Sequence, residues 1–464
     1  MQKPPVKKPR INLSDYNYEQ DLDYRLQMAS FSQFEVALLE VILDGSLTIS
    51  FQELQNELNV IEDEMILSLE KFSRLKLLQI QDKKIVVNKE KRKYFELHIL
   101  RFNSTFEPSI EFLQGLLNQV PIHVLPSWYM ISKTTSHIVH SIIDRHLLTP
   151  RTFEKYVTEL EVEDPLLHAI ASEVFAAADF SLPVSVLKDK YQLQEKEFAE
   201  CLMLLEFNLL CSSKYELSEN GWKEYLIPFH EWAEILRFRK NTQPQSISNV
   251  DHIQKWHPSP FGFVHDLAII TRFLGRQSIP SPLIQDKITE LLPHISSLIH
   301  PDTYMMRLLQ QLAHLNLSQE KDNAFTQHPS AAEWLQKDVE QQALIVYQTS
   351  ILHFYESQPL FYDRDVREIL RSLKVLYKNG WIAFEDFIKS FIAPVGSAEM
   401  VTLTLKGKKW RYTFPTYSPE EKDLIKLFLF QYLLEGGIIT TGTFSGKDCF
   451  CITSFGYHIL EDYF

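Results

Sequence analysis

Arg364, Arg367, Arg371, Lys374 and Lys378 recur at intervals of three, four, three and four residues. On an α-helix that spacing gathers five cations on one face, and Val366, Leu370, Leu373 and Leu376 supply an apolar face opposite. A second basic run, Lys406, Lys408, Lys409 and Arg411 with Trp410 among them, follows in a stretch that reads as strand and turn. Between residues 360 and 412, ten Lys or Arg stand against six Asp or Glu, an excess of four positive charges in a chain whose net charge is −13. The five cations of the helix face together with Lys406, Lys408, Lys409, Trp410 and Arg411 are the expected contact for nucleic acid or an acidic partner, because cations displace counterions from phosphates and Trp410 offers a stacking face. The plainer alternative is a solvated helix face paired with Asp363, Asp365 and Glu368.

Other residues could do different chemistry. His137, His140 and Asp144 fall at i, i+3 and i+7, one face of a helix, with His146 nearby; a metal-dependent enzyme built on them is the remote alternative. Against it stands an ordinary amphipathic helix in a chain with sixteen histidines. Gly442 to Asp448 has the look of a phosphate loop, but it is one residue short between its glycines, lacks Ser or Thr after Lys447, and lies in an expected hairpin with no helix start to meet a phosphate. His230-Glu231 has no second His three residues on, and no Gly-x-Ser-x-Gly elbow occurs. No catalytic residue, metal ligand or cofactor is therefore expected. Cys201, Cys211, Cys449 and Cys451 do not form a spaced framework and suit buried thiols in a reducing compartment.

These motifs need elements to hold them. At 464 residues the chain exceeds one core, and with only 13 glycines it favours helices joined by short connections. No apolar run reaches the roughly 18 residues that cross a bilayer, so no membrane partner is expected and a cytoplasmic location is. The expected fold is mainly α with small β-hairpins (α+β), arranged as tandem winged-helix modules joined by helical connectors.

That arrangement follows from a repeated grammar. In Cys201 to Leu226 an apolar helical run stops at Leu210-Cys211, a short hairpin follows, and Ser218 with Gly221-Trp222 is expected to open a capped helix. Leu433-Leu434 through Thr453 and Gly456-Tyr457 repeats it at the C-terminus. Upstream, Phe34 to Leu43, a capping box at Ser50 and Glu53, a helix from about Ile61 and a wing over Ile80 to Val87 read the same way. A shift of 132 residues places Leu75 to Leu78 on Phe207 to Leu210. The expected division is a flexible basic arm at 1–25, a first module at 26–95, a helical connector at 96–150, a second module at 151–240, a linker at 241–262, a third module at 263–337, and a basic helix with a closing module at 338–464.

The third helices of modules one and two start with Glu62-Asp63-Glu64 and with Glu195, Glu197 and Glu200, the wrong sign for a DNA groove. Phe263 to Phe464, through Leu308 to Leu317, the hairpin to Thr326, Trp334-Leu335, Leu433 to Ile438 and Thr453 to Gly456, resembles the helicase-associated winged-helix regions of bacterial proteins similar to XPB-type helicases. The resemblance implies an accessory role beside a DNA motor, and since the chain lacks motor motifs any such activity would belong to a partner. The expectation is a non-enzymatic adaptor in DNA or chromosome maintenance or transcription, touching DNA through the C-terminal basic segment and also binding a protein. The rival is a protein-interaction scaffold that touches no nucleic acid.

Overall fold

The computed structural model describes residues 10–60, 62–135, 137–298, 301–358, 363–396 and 399–462. The fold is mainly α with small antiparallel sheets of two to four strands. It divides into two compact units, residues 1–237 with 402–413, and residues 238–401 with 414–464.

The first unit opens with α1 (Tyr18–Ala29), α2 (Gln33–Asp44), β1 (Thr48–Ser50), α3 (Phe51–Leu58), α4 (Glu62–Arg74), β2 (Leu78–Gln81), β3 (Lys84–Val87) and α5 (Lys89–His98). Reciprocal capping by Ser32 with Glu35 and by Ser50 with Glu53 starts α2 and α3. The flexible arm expected at 1–25 is not what residues 10–25 form. Leu22, Tyr24 and Arg25 of α1 are buried, and Arg10 pairs with Glu159 and Glu163 at 2.8 and 3.0 Å. Lys3, Lys7 and Lys8 lie outside the described residues.

Short helices follow: α6 (Ile110–Leu117), α7 (Leu125–Trp128), α8 (Ile138–Ile142) and α9 (Pro150–Glu163). Then come α10 (Pro165–Ala176), β4 (Leu182–Pro183), α11 (Val184–Tyr191), α12 (Glu195–Phe207), β5 (Cys211–Ser218), β6 (Gly221–Pro228) and α13 (His230–Thr242).

The second unit takes up β7 (Gln254–Lys255), α14 (Gly262–Leu274), β8 (Ile279–Pro280), α15 (Ile284–Leu291), α16 (Pro301–His314), β9 (Ser318–Lys321), β10 (Ala324–Gln327), α17 (Ala331–Gln336), α18 (Val339–Ser357), α19 (Asp363–Lys374), β11 (Ile382–Ala383) and α20 (Phe384–Ser390). The hairpin β12 (Thr402–Lys406) and β13 (Lys409–Thr413) belongs to the first unit. The second unit closes with α21 (Pro419–Leu427), a π turn at Phe428–Leu433, β14 (Ile439–Phe444), β15 (Lys447–Ile452) and α22 (Ser454–Asp462).

One pattern occurs four times among the described residues: helix, short strand, helix, helix, β-hairpin, with the short strand paired to the last strand of the hairpin, and in the fourth the β12–β13 hairpin is inserted between the second and third helices. The sheet orders are β1-β3-β2, β4-β6-β5, β8-β10-β9 and β11-β15-β14-β7. Each third helix ends in the same way. A residue at positive φ (Lys76, Leu209, Asn316 or Gly437) is followed by a buried aliphatic (Leu77, Leu210, Leu317 or Ile438) whose N–H bonds the carbonyl five residues back, at 2.8 to 3.1 Å. This is the Schellman ending, which satisfies the orphan carbonyls of the last turn. The carbonyl of that aliphatic then accepts from the residue after the hairpin, Asn88, Phe229, His328 or Thr453.

That register corrects the sequence reading. Leu77 corresponds to Leu210, so the offset between the first two repeats is 133 residues and not 132. Ser218 and Gly221 do not open a helix. They form the tip of the β5–β6 hairpin, where Ser218 Oγ donates to the Gly221 carbonyl at 2.7 Å and Gly221 takes φ +102°. In the C-terminal copy Thr453 Oγ1 accepts from Gly456 N at 2.8 Å and caps a true helix. Identical spacing serves opposite hydrogen-bond roles, and the second repeat's hairpin is simply longer.

Two further expectations differ. Residues 241–262, read as a linker, run along the sheet of the fourth repeat: β7 pairs with β14, Ile253 is buried, and Trp256 N donates to Thr441 O at 3.0 Å. The basic helix α19 is not an appendage before a closing module but the first helix of the fourth repeat, burying Val366, Ile369, Leu370 and Leu373. Each such side chain contributes roughly 1.5–3 kcal/mol on burial.

Both units also bury a glutamate in the last turn of a third helix. In the first unit Glu206 takes Arg25 Nη1 at 2.5 Å, Arg101 Nη1 at 2.6 Å and Ser212 Oγ at 2.6 Å. In the second, Glu435 takes Arg307 Nε and Nη2 at 2.6 and 2.8 Å, Gln311 Nε2 at 3.0 Å and Ser350 Oγ at 2.7 Å. Arginines from other elements thus fix each of these helices in its unit, since a buried carboxylate left unpaired costs several kcal/mol.

Candidate functional site

The ten basic-segment residues are divided between the two units. Arg364, Arg367, Arg371 and Lys374 lie on α19 in the second unit, whereas Lys406, Lys408, Lys409, Trp410 and Arg411 lie on the β12–β13 hairpin of the first. The expected five-residue stripe is also shorter, because α19 ends at Lys374 and Lys378 sits on the separate turn Tyr377–Asn379. Charge on the stripe is largely answered locally. Arg364 reaches buried Asp365 at 2.9 Å, Arg367 reaches Asp363 at 2.7 Å, and Arg371 pairs with Glu368.

The hairpin differs. Its register sets Lys406 directly opposite Lys409, with Gly407 at φ +66° and Lys408 forming the turn. All three lysines are exposed, and among the described residues none has a carboxylate partner. Like charges directly opposite each other destabilise a strand pair. Arg411 extends the row, with Nε 3.5 Å from Glu234. The other face of the hairpin docks: Leu403 and Tyr412 are buried, and Tyr412 Oη donates to Leu147 O at 2.6 Å.

Trp410 is half-buried, not a free stacking face. Its backbone N–H donates to Glu111 Oε1 at 3.1 Å, and its ring meets His140 edge-on at 5.2 Å. It helps to line a groove of about 830 Å³, with Leu405, Lys408, His137, His140 and Ile122 among the other walls. His137 and His140 thus face a groove beside the hairpin, and they do not converge with Asp144 as a ligand set.

In the second unit the third helices of the third and fourth repeats border a cavity of about 280 Å³, lined by Trp256, His257, Phe263, Tyr304, Phe430 and the Arg307–Glu435 pair, with Lys426 and Asp448 at 2.6 Å from each other on its wall. Behind it His257, Asp266 and His294 offer ligand atoms within 4.8 Å of one another. His294 Nε2 and Tyr304 Oη both reach Asp266 Oδ2, at 2.8 and 2.6 Å. Burial and the neighbouring His294 lower the His257 pKa to about 4, so its ring is neutral at pH 7. Burial raises the Asp266 carboxyl, opposed by the bonds from Tyr304 and His294. Sequence reading missed these three because they come from an assumed linker, a helix and the turn after α15, with no recurring interval.

The four cysteines are free thiols. No described helix is long and apolar enough to cross a membrane. No protein-family model, curated protein or solved structure matches the chain.

Proposed function

We propose that the chain is a non-enzymatic adaptor of winged-helix-like repeats that holds nucleic acid by its phosphate backbone along the β12–β13 hairpin. The observation that carries this reading is the Lys406–Lys409 cross-strand pair with Lys408 at the turn, three exposed cations for which no carboxylate is at hand among the described residues. A like-charged pair of this kind is retained at a cost to the hairpin, and a bound polyanion would offset it.

The third helices are poor groove readers. Their first turns carry Asp63, Glu195 and Glu197, Asp302, and Glu420 and Glu421, which suit the helix dipole and repel phosphate. Contact by a hairpin without a reading helix implies weak sequence preference. A place beside a helicase, as the resemblance of residues 263–464 suggests, fits such an adaptor.

The test is fluorescence anisotropy with a short duplex across a salt series. Three neutralised phosphates give a log–log salt slope of about −2.7, or roughly a 40-fold loss of affinity between 50 and 200 mM salt. Changing Lys406, Lys408 and Lys409 together to Gln should remove most of that slope. Reversing Arg367 and Arg371 to Glu should change it little, and a loss there equal to the lysine variant's would move the contact to α19. No binding by the wild type at 50 mM salt would refute the proposal and leave the scaffold reading, which the exposed Ile122 and Leu405 on the groove favour.

A further inference from the structure

Among the described residues, the one group of histidine and acidic side chains with ligand atoms close enough to share an ion is His257, Asp266 and His294. They come from the stretch ahead of α14, from α14 itself, and from the turn Pro293–Ser297. His257 is 3% exposed and packs against the rings of His294 and Tyr304, at 5.9 and 5.1 Å.

The surroundings are built to admit that ring. A Cβ placed on Gly262 would fall 2.6 Å from His257 Nδ1, so the absence of a side chain at 262 makes the space. Tyr304 holds one oxygen of Asp266, as an outer-layer partner holds a ligating carboxylate. His257 and Tyr304 also form part of the wall of the 280 Å³ cavity.

We propose that His257, Asp266 and His294 bind one divalent first-row transition-metal ion, zinc being the best match, with an open coordination position toward the cavity. Two imidazoles and a carboxylate are the donor set for such ions when a position is kept for an exogenous ligand. Ligands at about 2.0–2.2 Å from a tetrahedral ion lie about 3.3 Å apart, so atoms now spread within 4.8 Å need only modest side-chain rotation. His294, 39% exposed, has the freedom to supply it, exchanging its bond to Asp266 for the ion.

The experiment uses the full chain stripped with chelator and titrated with Co²⁺, followed by absorption between about 500 and 650 nm, and with Zn²⁺ by equilibrium dialysis. One equivalent of tightly held ion with a tetrahedral or five-coordinate cobalt spectrum is expected. His257→Gln and Asp266→Asn should each lose saturable binding, and Tyr304→Phe should weaken it ~10–100-fold. Failure of the wild type to hold one equivalent overturns the proposal without reference to any variant. So does retention of full binding by a folded His257→Gln protein. The double change His137→Ala plus His140→Ala is expected to leave the stoichiometry unchanged, and loss of the ion there would also overturn the assignment.

Discussion

Replacing Glu206 with Gln should destabilise the first unit by about 3–5 kcal/mol, the cost of removing one partner from a buried ion pair. Glu206 is fully buried and holds two guanidinium groups and the Ser212 hydroxyl. Arg25 would keep Asp21, at 2.8 Å. Arg101 would keep the Ser213 hydroxyl at 2.6 Å but no carboxylate among the described residues, and its Nε and Nη2 already lack hydrogen bonds. The loss therefore falls mainly on Arg101, left as a buried cation with no counter-charge. The same ion pairs govern the protonation of Glu206. Burial opposes ionisation of Glu206, yet Arg101 and Arg25 hold its pKa down from 4.5 to about 2. A carboxylate depressed in the folded state contributes stability above its unfolded pKa and loses it as pH falls through its folded pKa. A depression of this size corresponds to about 3 kcal/mol, present above pH 4.5 and gone near pH 2. Hydrogen exchange of peptides covering β5 and β6 in the intact chain reads it locally, with an expected rise in exchange of about 100-fold at pH 7. The gap between wild type and variant should close toward pH 2, where Glu206 takes up its proton in the folded protein as well. A loss below about 1 kcal/mol, or a gap that persists at pH 2, would refute the account.

Other consequences are as direct. Glu231 is buried, its Oε2 has no hydrogen-bond partner among the described residues, and burial raises its pKa to about 8. Stability therefore falls as pH rises from about 4.5 to 8, and Glu231→Gln should be the more stable protein at pH 8.5 by a few kcal/mol, with no advantage below pH 4.5, as denaturant titration at the two pH values would show. Gly456→Ala should cost at least about 2 kcal/mol in chemical denaturation, since its Cβ would sit 2.0 Å from the Ile438 carbonyl oxygen, a backbone atom. Gly221→Ala meets open space and only a positive φ, so about 1 kcal/mol is expected. Lys406→Thr relieves repulsion by Lys409 and should raise thermal stability by about 0.2–1 kcal/mol while lowering the salt slope of DNA binding.

The sequence alone determined what is local. The apolar run Phe34 to Leu43 marked α2, the Ser50 and Glu53 pair marked a helix start, and low glycine marked a mainly α chain, because these signals depend on composition and on neighbours within one or two turns. It could not separate the two Ser/Thr-x-x-Gly-aromatic segments. Whether Ser218 caps a helix or closes a turn depends on how long the preceding hairpin is, and that is set by pairing across β5 and β6. Nor could spacing show that α19 answers its own arginines while the lysines of the β12–β13 hairpin have no carboxylate partner among the described residues, since charge pairing depends on rotamers and cross-strand register. Above all, His257, Asp266 and His294 carry no interval to notice. They meet only because α14 packs beneath the stretch that leads into it and the turn Pro293–Ser297 closes over them. A ligand set is a fact of three-dimensional distance, which sequence separation does not encode unless all its members share one element.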